Sequence, residues 1–304
     1  MKKNDLSVVF LMWVPYGIGF LYRFIESYQK HYAGAEHDLI ILYNGYGTSE
    51  NLEPFKIYLK EQNINHFQFN LESGQDIKAY RWVAERVETP YILFFNTYSQ
   101  ILHNDWAKNY LNAIQGDNVG CVGATGSWQS WASVGFQKAK LFFHPTSAIK
   151  RKLPYFHSKQ VHIGSITIEI HPRLVLLGSL IKSLKVTAYF PKFPNPHLRT
   201  NAFVIARNTW LGLNIPDLKS KNEAHWFESG NESLTRQLLK LGKRVLVMNK
   251  YGELFEPVDW HRSKTLWSAH QEDLLVSDNF TGQYNSGPNS NNIAFENFLW
   301  GSNQ

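Results

Sequence analysis

PYILFFNTYSQIL, residues Pro90 to Leu102, runs five apolar residues, Tyr91-Ile92-Leu93-Phe94-Phe95, into a polar turn, Asn96-Thr97-Tyr98-Ser99. An unbroken apolar run bounded by turn residues is the pattern of a strand buried on both faces. Such strands belong to parallel sheets covered by helices, whose ligands bind at the carboxyl ends. The polar turn is therefore expected to form the rim of a cleft. It carries no carboxylate until Asp105.

The flanking sequence supports that placement. LSVVFLMW (6–13), DLIILY (38–43) and INHFQFN read as strands before it, and NVGCVGA reads as one after it. Between them, GFLYRFIESYQKHY, NLEPFKIYLKEQ, QDIKAYRWVAERVE and DWAKNYLNAI carry apolar residues at helical spacing. Pro54 is tolerated in a first helical turn. The alternation predicts an α/β fold: a mainly parallel, Rossmann-like sheet with helices on both faces. The predicted strand ends are Trp13 to Tyr16, Asn44 to Tyr46, Asn70 to Asp76 and Asn96 to Tyr98.

The pattern breaks between 126 and 200. That segment holds eleven Lys/Arg and one acid, Glu169, while the 304-residue chain as a whole is only +6. The basic balance is thus local and needs a local partner. Trp128, Trp131, Phe136, Phe142, Phe143, Tyr155 and Phe156 are interleaved with the charges, and residues 172–186 read as an amphipathic helix bearing Lys182 and Lys185. Docking on an anionic membrane surface fits this composition. Single-strand nucleic-acid binding fits it too, but no nucleic-acid module is legible. A solvated basic face above a core helix is the plain structural alternative.

Regularity returns after 200. LRTNAFVIARNTWLGL predicts a strand and a short helix, SGNESLTRQLLKLGK a helix ended at Gly242, and RVLVMN a strand. In the second of these, Ser229-Gly230-Asn231-Glu232 fits a capping box. Beyond Tyr251 the chain reads as loop-rich, with NSGPNSNN a flexible linker. The division expected is 1–125, 126–200, 201–280 and a tail, 281–304. The lone Cys121 forms no intrachain disulfide and reads as core packing. No spanning run of about 20 apolar residues is present. The N-terminus reads as a strand rather than a signal peptide, so a cytoplasmic location is expected, peripheral to the membrane's inner face if the basic segment docks.

No G-x-G-x-x-G follows the first strand and no G-x-x-x-x-G-K-[ST] occurs, which disfavours dinucleotide enzymes and P-loop NTPases. The twelve histidines are scattered, which disfavours structural zinc. DLIILYNGYGT with TPYILFFNTYSQIL, and LRTNAFVIARNTWLGL with HWFESGNESLTRQLLKLGKRVLVMNKYG, resemble the GT-A glycosyltransferases, in particular family-2-like bacterial enzymes of polysaccharide biosynthesis. The resemblance spans roughly residues 6 to 280. It implies a nucleotide-sugar donor and a glycan or lipid-linked acceptor, with base and ribose at the ends of the first two strands. It also implies an Asp-x-Asp or Asn-x-Asp motif at the fourth strand's end, holding a divalent cation. Here Asn96-Thr97-Tyr98-Ser99 stands in that place, and a neutral phenol is a poor ligand for Mg²⁺ or Mn²⁺. A metal-independent transferase is one expectation. A site that lost its metal is the other.

The donor site is expected at Pro15, Tyr16, Asn44, Asp76, Asn96, Tyr98 and Ser99. Asn44 is equally a turn residue and Asp76 equally a helix N-terminal acid. Glu228, just outside the expected helix, matches the position of the family's catalytic acid and is expected as general base. Arg199, Asn201 and His261 are expected near the acceptor or the diphosphate. The function expected is an inverting sugar transfer. The alternatives are a non-catalytic nucleotide-sugar or glycan-binding module and a membrane-surface scaffold; a nucleotidyltransferase is disfavoured, because no Gly/Lys-rich phosphate loop follows the first strand.

Overall fold

The computed structural model describes residues 4–72, 74–132, 159–163, 166–170, 188–216, 221–286 and 289–301. The first half alternates as its pattern predicts: β1 (Leu6–Trp13), α1 (Gly19–Lys30), β2 (Asp38–Asn44), α2 (Glu53–Glu61), β3 (Phe67–Leu71), α3 (Asp76–Ala84) and β4 (Tyr91–Phe95). A short β5 (Gln100–Ile101), α4 (Trp106–Ile114), β6 (Val119–Gly123) and β7 (Gly126–Ser127) follow. Along β1, Leu6, Val8, Phe10 and Met12 enter one core with Leu21, Phe24 and Phe55, while Val9 and Leu11 enter the other with Ile77 and Tyr80. That two-residue alternation, apolar on both sides, is why the strand is buried throughout and why helices cover both faces.

The second half adds β10 (His197–Leu198), β11 (Ala202–Ala206), α5 (Arg207–Gly212), α6 (Lys221–Ser229), α7 (Leu234–Lys240), β12 (Arg244–Met248), β13 (Leu254–Phe255), β14 (Val276–Ser277), α8 (Asn279–Ser286) and α9 (Asn289–Trp300). The main sheet has eight strands in the order β13-β12-β6-β11-β4-β1-β2-β3. β1 lies parallel to both β2 and β4, whereas β11 is antiparallel to β4 and β6. The fold is thus α/β with a mixed, mostly parallel sheet.

From β1 the chain winds outward to β2 and β3, then returns to β4 on the other side. The gap between the carboxyl ends of β1 and β4 is therefore a topological switch point, the place where such sheets hold ligands. Thr97 joins the two strands there, donating to Leu11 O at 2.7 Å and accepting from Trp13 N at 2.9 Å.

Two expectations fail. No helix starts at the expected capping box. Glu228 and Ser229 end α6 instead, Ser233 caps α7 by accepting from Arg236 N, and Glu232 pairs with Lys240 at 2.7 Å. The tail is not a linker either: α8 and α9 bury Tyr284, Leu299 and Trp300, and Trp300 Nε1 lies 3.1 Å from both Leu266 O and Trp267 O. Burial of large side chains outweighed local polar composition.

Residues Gln129–Asn195 form a separate compact unit. Within it β8 (Lys159–Ile163) and β9 (Ile166–Ile170) pair as an antiparallel hairpin, and the Ser130 hydroxyl donates to Pro191 O. The expected amphipathic helix at 172–186 lies outside the described residues. No helix of the described residues is long and apolar enough to cross a membrane.

Candidate functional site

The rim of β4 is a self-satisfied turn. Asn96 Oδ1 accepts from Tyr98 N at 3.0 Å, and Ser99 Oγ lies 3.0 Å from both Asn96 Oδ1 and Asn201 O. Asn96 N donates to Asn201 O at 2.8 Å, so the incoming end of β11 locks the turn from beside it. Ser99 is buried and serves this lock. Tyr98 instead points outward, its ring 5.6 Å from Tyr16 and 5.2 Å from Phe20. Burial, then the adjoining Tyr16 hydroxyl and the charge of Asp76, push the Tyr98 phenol up to about 12. It is thus protonated at neutral pH, a donor rather than a cation ligand. With Asn96 Oδ1 and Ser99 Oγ already engaged, the donor set at this strand end does not fit Mg²⁺ or Mn²⁺. Among the described residues no group of three His, Cys, Asp or Glu stands ready for a metal.

Beside this rim, the turn after β1 and the turn after β2 border an open cleft of about 460 Å³. Val14, Pro15, Gly45, Tyr46, Asn51 and Phe55 are among its lining. Gly45 is required: its φ is +69°, and a Cβ would sit 2.6 Å from the Trp13 ring. Asn44 does not line the cleft. It is fully buried and its Nδ2 donates to Gly74 O at 2.8 Å, fixing the loop that leads to Asp76 at the start of α3. Asn44 Oδ1 is buried with no hydrogen-bond partner among the described residues. An orphaned acceptor of this kind calls for a donor, from water or a ligand.

On the other side of the switch point, Glu228 Oε1 accepts from Thr200 N at 2.8 Å and from Thr200 Oγ1 at 3.1 Å, and Oε2 lies 3.8 Å from His225 Nδ1. Burial pushes this carboxyl up, but the adjoining His225 ring, the hydrogen bond from Thr200 N and the charges of His197 and Arg199 overcome it and hold it at about 2. Between the two sides stands Tyr80, wholly buried, its hydroxyl without a hydrogen-bond partner among the described residues. Burial and the charges of Asp76 and Glu228 raise it well above the ordinary phenol range. The structure thus brings Asp76, Tyr98, Asn96, Asn201 and Glu228 to one end of the sheet.

Arg199 and Asn201 are inside this arrangement, with different duties. Asn201 Oδ1 accepts from Thr125 Oγ1 at 2.9 Å, and its buried Nδ2 has no partner among the described residues. Arg199 is taken by Asp278 at 2.7 Å and lies 4.6 Å from the Phe280 ring centre, which pins the start of α8 to the sheet. Its Nη1 is buried without a partner among the described residues. His261 packs against Trp128 at 5.1 Å and lies 6.5 Å from Trp300, and burial lowers its pKa. Thr97, Thr200, Tyr80, His225 and Asp278 were not singled out by the sequence. Thr97 and Thr200 act through partners 86 and 28 residues away, which no local signal marks, whereas His225 faces Glu228 from three residues earlier on the same helix.

No protein-family model and no curated protein matches the chain. Solved structures do, at low identity. A mannosyltransferase from Pyrobaculum calidifontis, in complex with GDP-Man and Mn²⁺, matches 87% of this chain and 61% of its own at 9% identity and a TM-score of 0.46. GalNAc-T7 with UDP, GalNAc and Mn²⁺ matches 84% and 42% at 14% identity and 0.43. A 4-diphosphocytidyl-2C-methyl-D-erythritol synthase from Anaerococcus prevotii matches 81% and 88% at 8% identity and 0.40. The chain therefore spans less than two thirds of the length of either sugar-binding neighbour.

Proposed function

We propose that the chain is a GT-A-type glycosyltransferase that moves a sugar from a nucleotide donor to a hydroxyl acceptor with inversion. One observation carries the reading: an open cleft lies between the turns after β1 and β2, beside a topological switch point, and Glu228 is held by Thr200, the neighbour of the Asn201 that bonds the end of β4. Pro15, Tyr46 and Phe55 offer apolar surface to a base, Tyr16 and Tyr98 offer hydroxyls to a sugar or diphosphate, and Asn44 Oδ1 and Asn201 Nδ2 are orphaned polar atoms near by. Catalysis is by positioning and charge stabilisation, with an acceptor oxygen attacking the anomeric carbon as the diphosphate departs. Turnover is cation-independent on this reading, because the strand-end donors do not suit a hard cation. A glycan or lipid-linked acceptor, and docking of residues 126–200 on an anionic membrane, belong to the same proposal.

The test is a panel of nucleotide sugars followed by thermal shift, with Mn²⁺ and with EDTA. A nucleotide-dependent rise in melting temperature that EDTA leaves in place is expected. No rise with any nucleotide sinks the donor site. A second reading, a nucleotide-sugar-binding module without turnover, is favoured by the self-satisfied Asn96 turn. Binding without product formation across donor and acceptor panels would select it.

A further inference from the structure

Three rings gather where β4 ends and α1 begins. Tyr16 follows Pro15 in the turn after β1, Phe20 lies in the first turn of α1, and Tyr98 lies in the turn after β4. The Phe20 ring stands 5.7 Å from Tyr16 and 5.2 Å from Tyr98, and Tyr16 stands 5.6 Å from Tyr98. The two tyrosine hydroxyls adjoin one another. Tyr16 is 50% exposed and sits between Pro15 and Gly17, both of which line the cleft, so the cluster stands at the cleft's edge.

Arg23, one turn into α1, is fixed to this cluster. Its guanidinium lies 4.3 Å over the Phe20 ring, and Nε donates to Gly19 O at 3.3 Å. The side chain is exposed, and its Nη groups have no carboxylate partner among the described residues. Glu26, one turn further on, acts on Tyr58 instead. An arginine that rests on an aromatic face with its fork open is preorganised for an oxyanion.

The chemistry of the cluster narrows the ligand. The ring planes differ by 43°, 48° and 90°, so no two of them offer parallel walls to a base. The strand end beside them does not fit a hard cation, so a diphosphate lying there needs its charge offset by the chain itself. The phenols supply O–H donors and the guanidinium a full positive charge. Asp76 is the carboxylate acting on the Tyr98 hydroxyl, and its charge helps keep the proton there. It also opposes an anion, which leaves Arg23 as the group that decides whether one binds.

We propose that Arg23, Tyr16 and Tyr98 hold the diphosphate of the nucleotide donor in place of a metal ion. The proposal rests on the transferase reading above and names the groups that take over the cation's charge. Phe20 is the positioning residue, since it carries the guanidinium and touches both tyrosine rings.

The test is isothermal titration of the full chain in EDTA with uridine, UMP and UDP, and with the matching guanosine, adenosine, cytidine and thymidine series. For the base that binds, the diphosphate is expected to tighten binding about tenfold or more over the nucleoside, and added Mn²⁺ to change it less than about twofold. Arg23→Gln is expected to remove most of that gain and to leave nucleoside affinity unchanged. Tyr98→Phe and Tyr16→Phe are each expected to weaken the diphosphate about three- to tenfold. Arg23→Lys, which keeps the charge without the fork, is expected to retain part of the gain and serves if the glutamine variant does not fold. A gain that requires Mn²⁺, or one that survives intact in Arg23→Gln and Tyr98→Phe, overturns the proposal. Inorganic pyrophosphate binding as tightly as the nucleoside diphosphate overturns the assignment to the donor. Nucleoside binding with no gain from the diphosphate removes this site alone, whereas no binding in any series takes the donor reading down with it.

Discussion

Neutralising Glu228 tests the electrostatics of the site through stability alone. The gap between about 2 and the ordinary 4.5 for this carboxyl corresponds to roughly 3 kcal/mol at 1.36 kcal/mol per pH unit. The folded-state value lies below the unfolded one, so the unfolded chain takes up the proton first as the pH falls. The stabilisation is therefore complete above about pH 5 and is lost as the pH drops from 4.5 toward 2. Glu228→Gln keeps an acceptor for the Thr200 N–H but removes the charge. The assay is urea unfolding of the wild type and Glu228→Gln at pH 7, 5, 4 and 3. The wild type is expected to be the more stable by up to about 3 kcal/mol at pH 7, with the gap shrinking steadily below pH 4.5 and more than half gone near pH 3. A gap of equal size at pH 7 and pH 3 would refute the reasoning, because it would place the effect in packing rather than in charge. No gap at pH 7 would mean that burial cancels what Thr200, His225 and Arg199 contribute.

Arg199→Leu leaves the Asp278 carboxylate buried without its cation and is expected to cost about 3–5 kcal/mol in urea unfolding. Adding Asp278→Asn should recover much of that, and strictly additive losses would contradict the pairing. Thr97→Val deprives Trp13 N of its acceptor between β1 and β4 and should cost about 1–3 kcal/mol, read as a lowered denaturation midpoint. Gly126→Ala drives a Cβ to within 2.4 Å of the Trp260 ring and should cost about 1–3 kcal/mol in urea unfolding, which an unchanged midpoint would refute. For the basic segment, flotation with phosphatidylserine vesicles at low salt is expected and should weaken as salt rises. No flotation would retire the membrane partner.

The early strands and helices were legible because their side chains repeat at the spacing of the element that buries them. β1 alternates two apolar faces, and Leu21, Phe24 and Ile25 of α1 recur at helical spacing. Among the late elements β11, α5, α7 and β12 were legible in the same way, but α6, α8 and α9 were not. α6 has a weakly patterned sequence, KNEAHWFES, and becomes a helix where Phe227 enters the core. The Ser-x-x-Glu pattern at 229–232 was a false start signal, since Gly230 N donates back to Trp226 O and ends a helix there instead. α8 and α9 depend on Tyr284 and Trp300 finding partners outside their own segments.

The sequence alone determined the class of fold, the central place of Pro90–Leu102, and the absence of a carboxylate from its rim. These follow from local periodicity and residue chemistry. Only the tertiary structure decided what that rim does. Bringing β11 antiparallel alongside β4 sets Asn201 against Asn96 and Ser99, and so consumes the turn's polar atoms. The same juxtaposition puts Thr200 on Glu228 and makes a carboxylate expected to be a base into the anchored member of a pair with His225. Hydrogen bonds between segments that distant are set by strand order, which no short stretch of sequence contains.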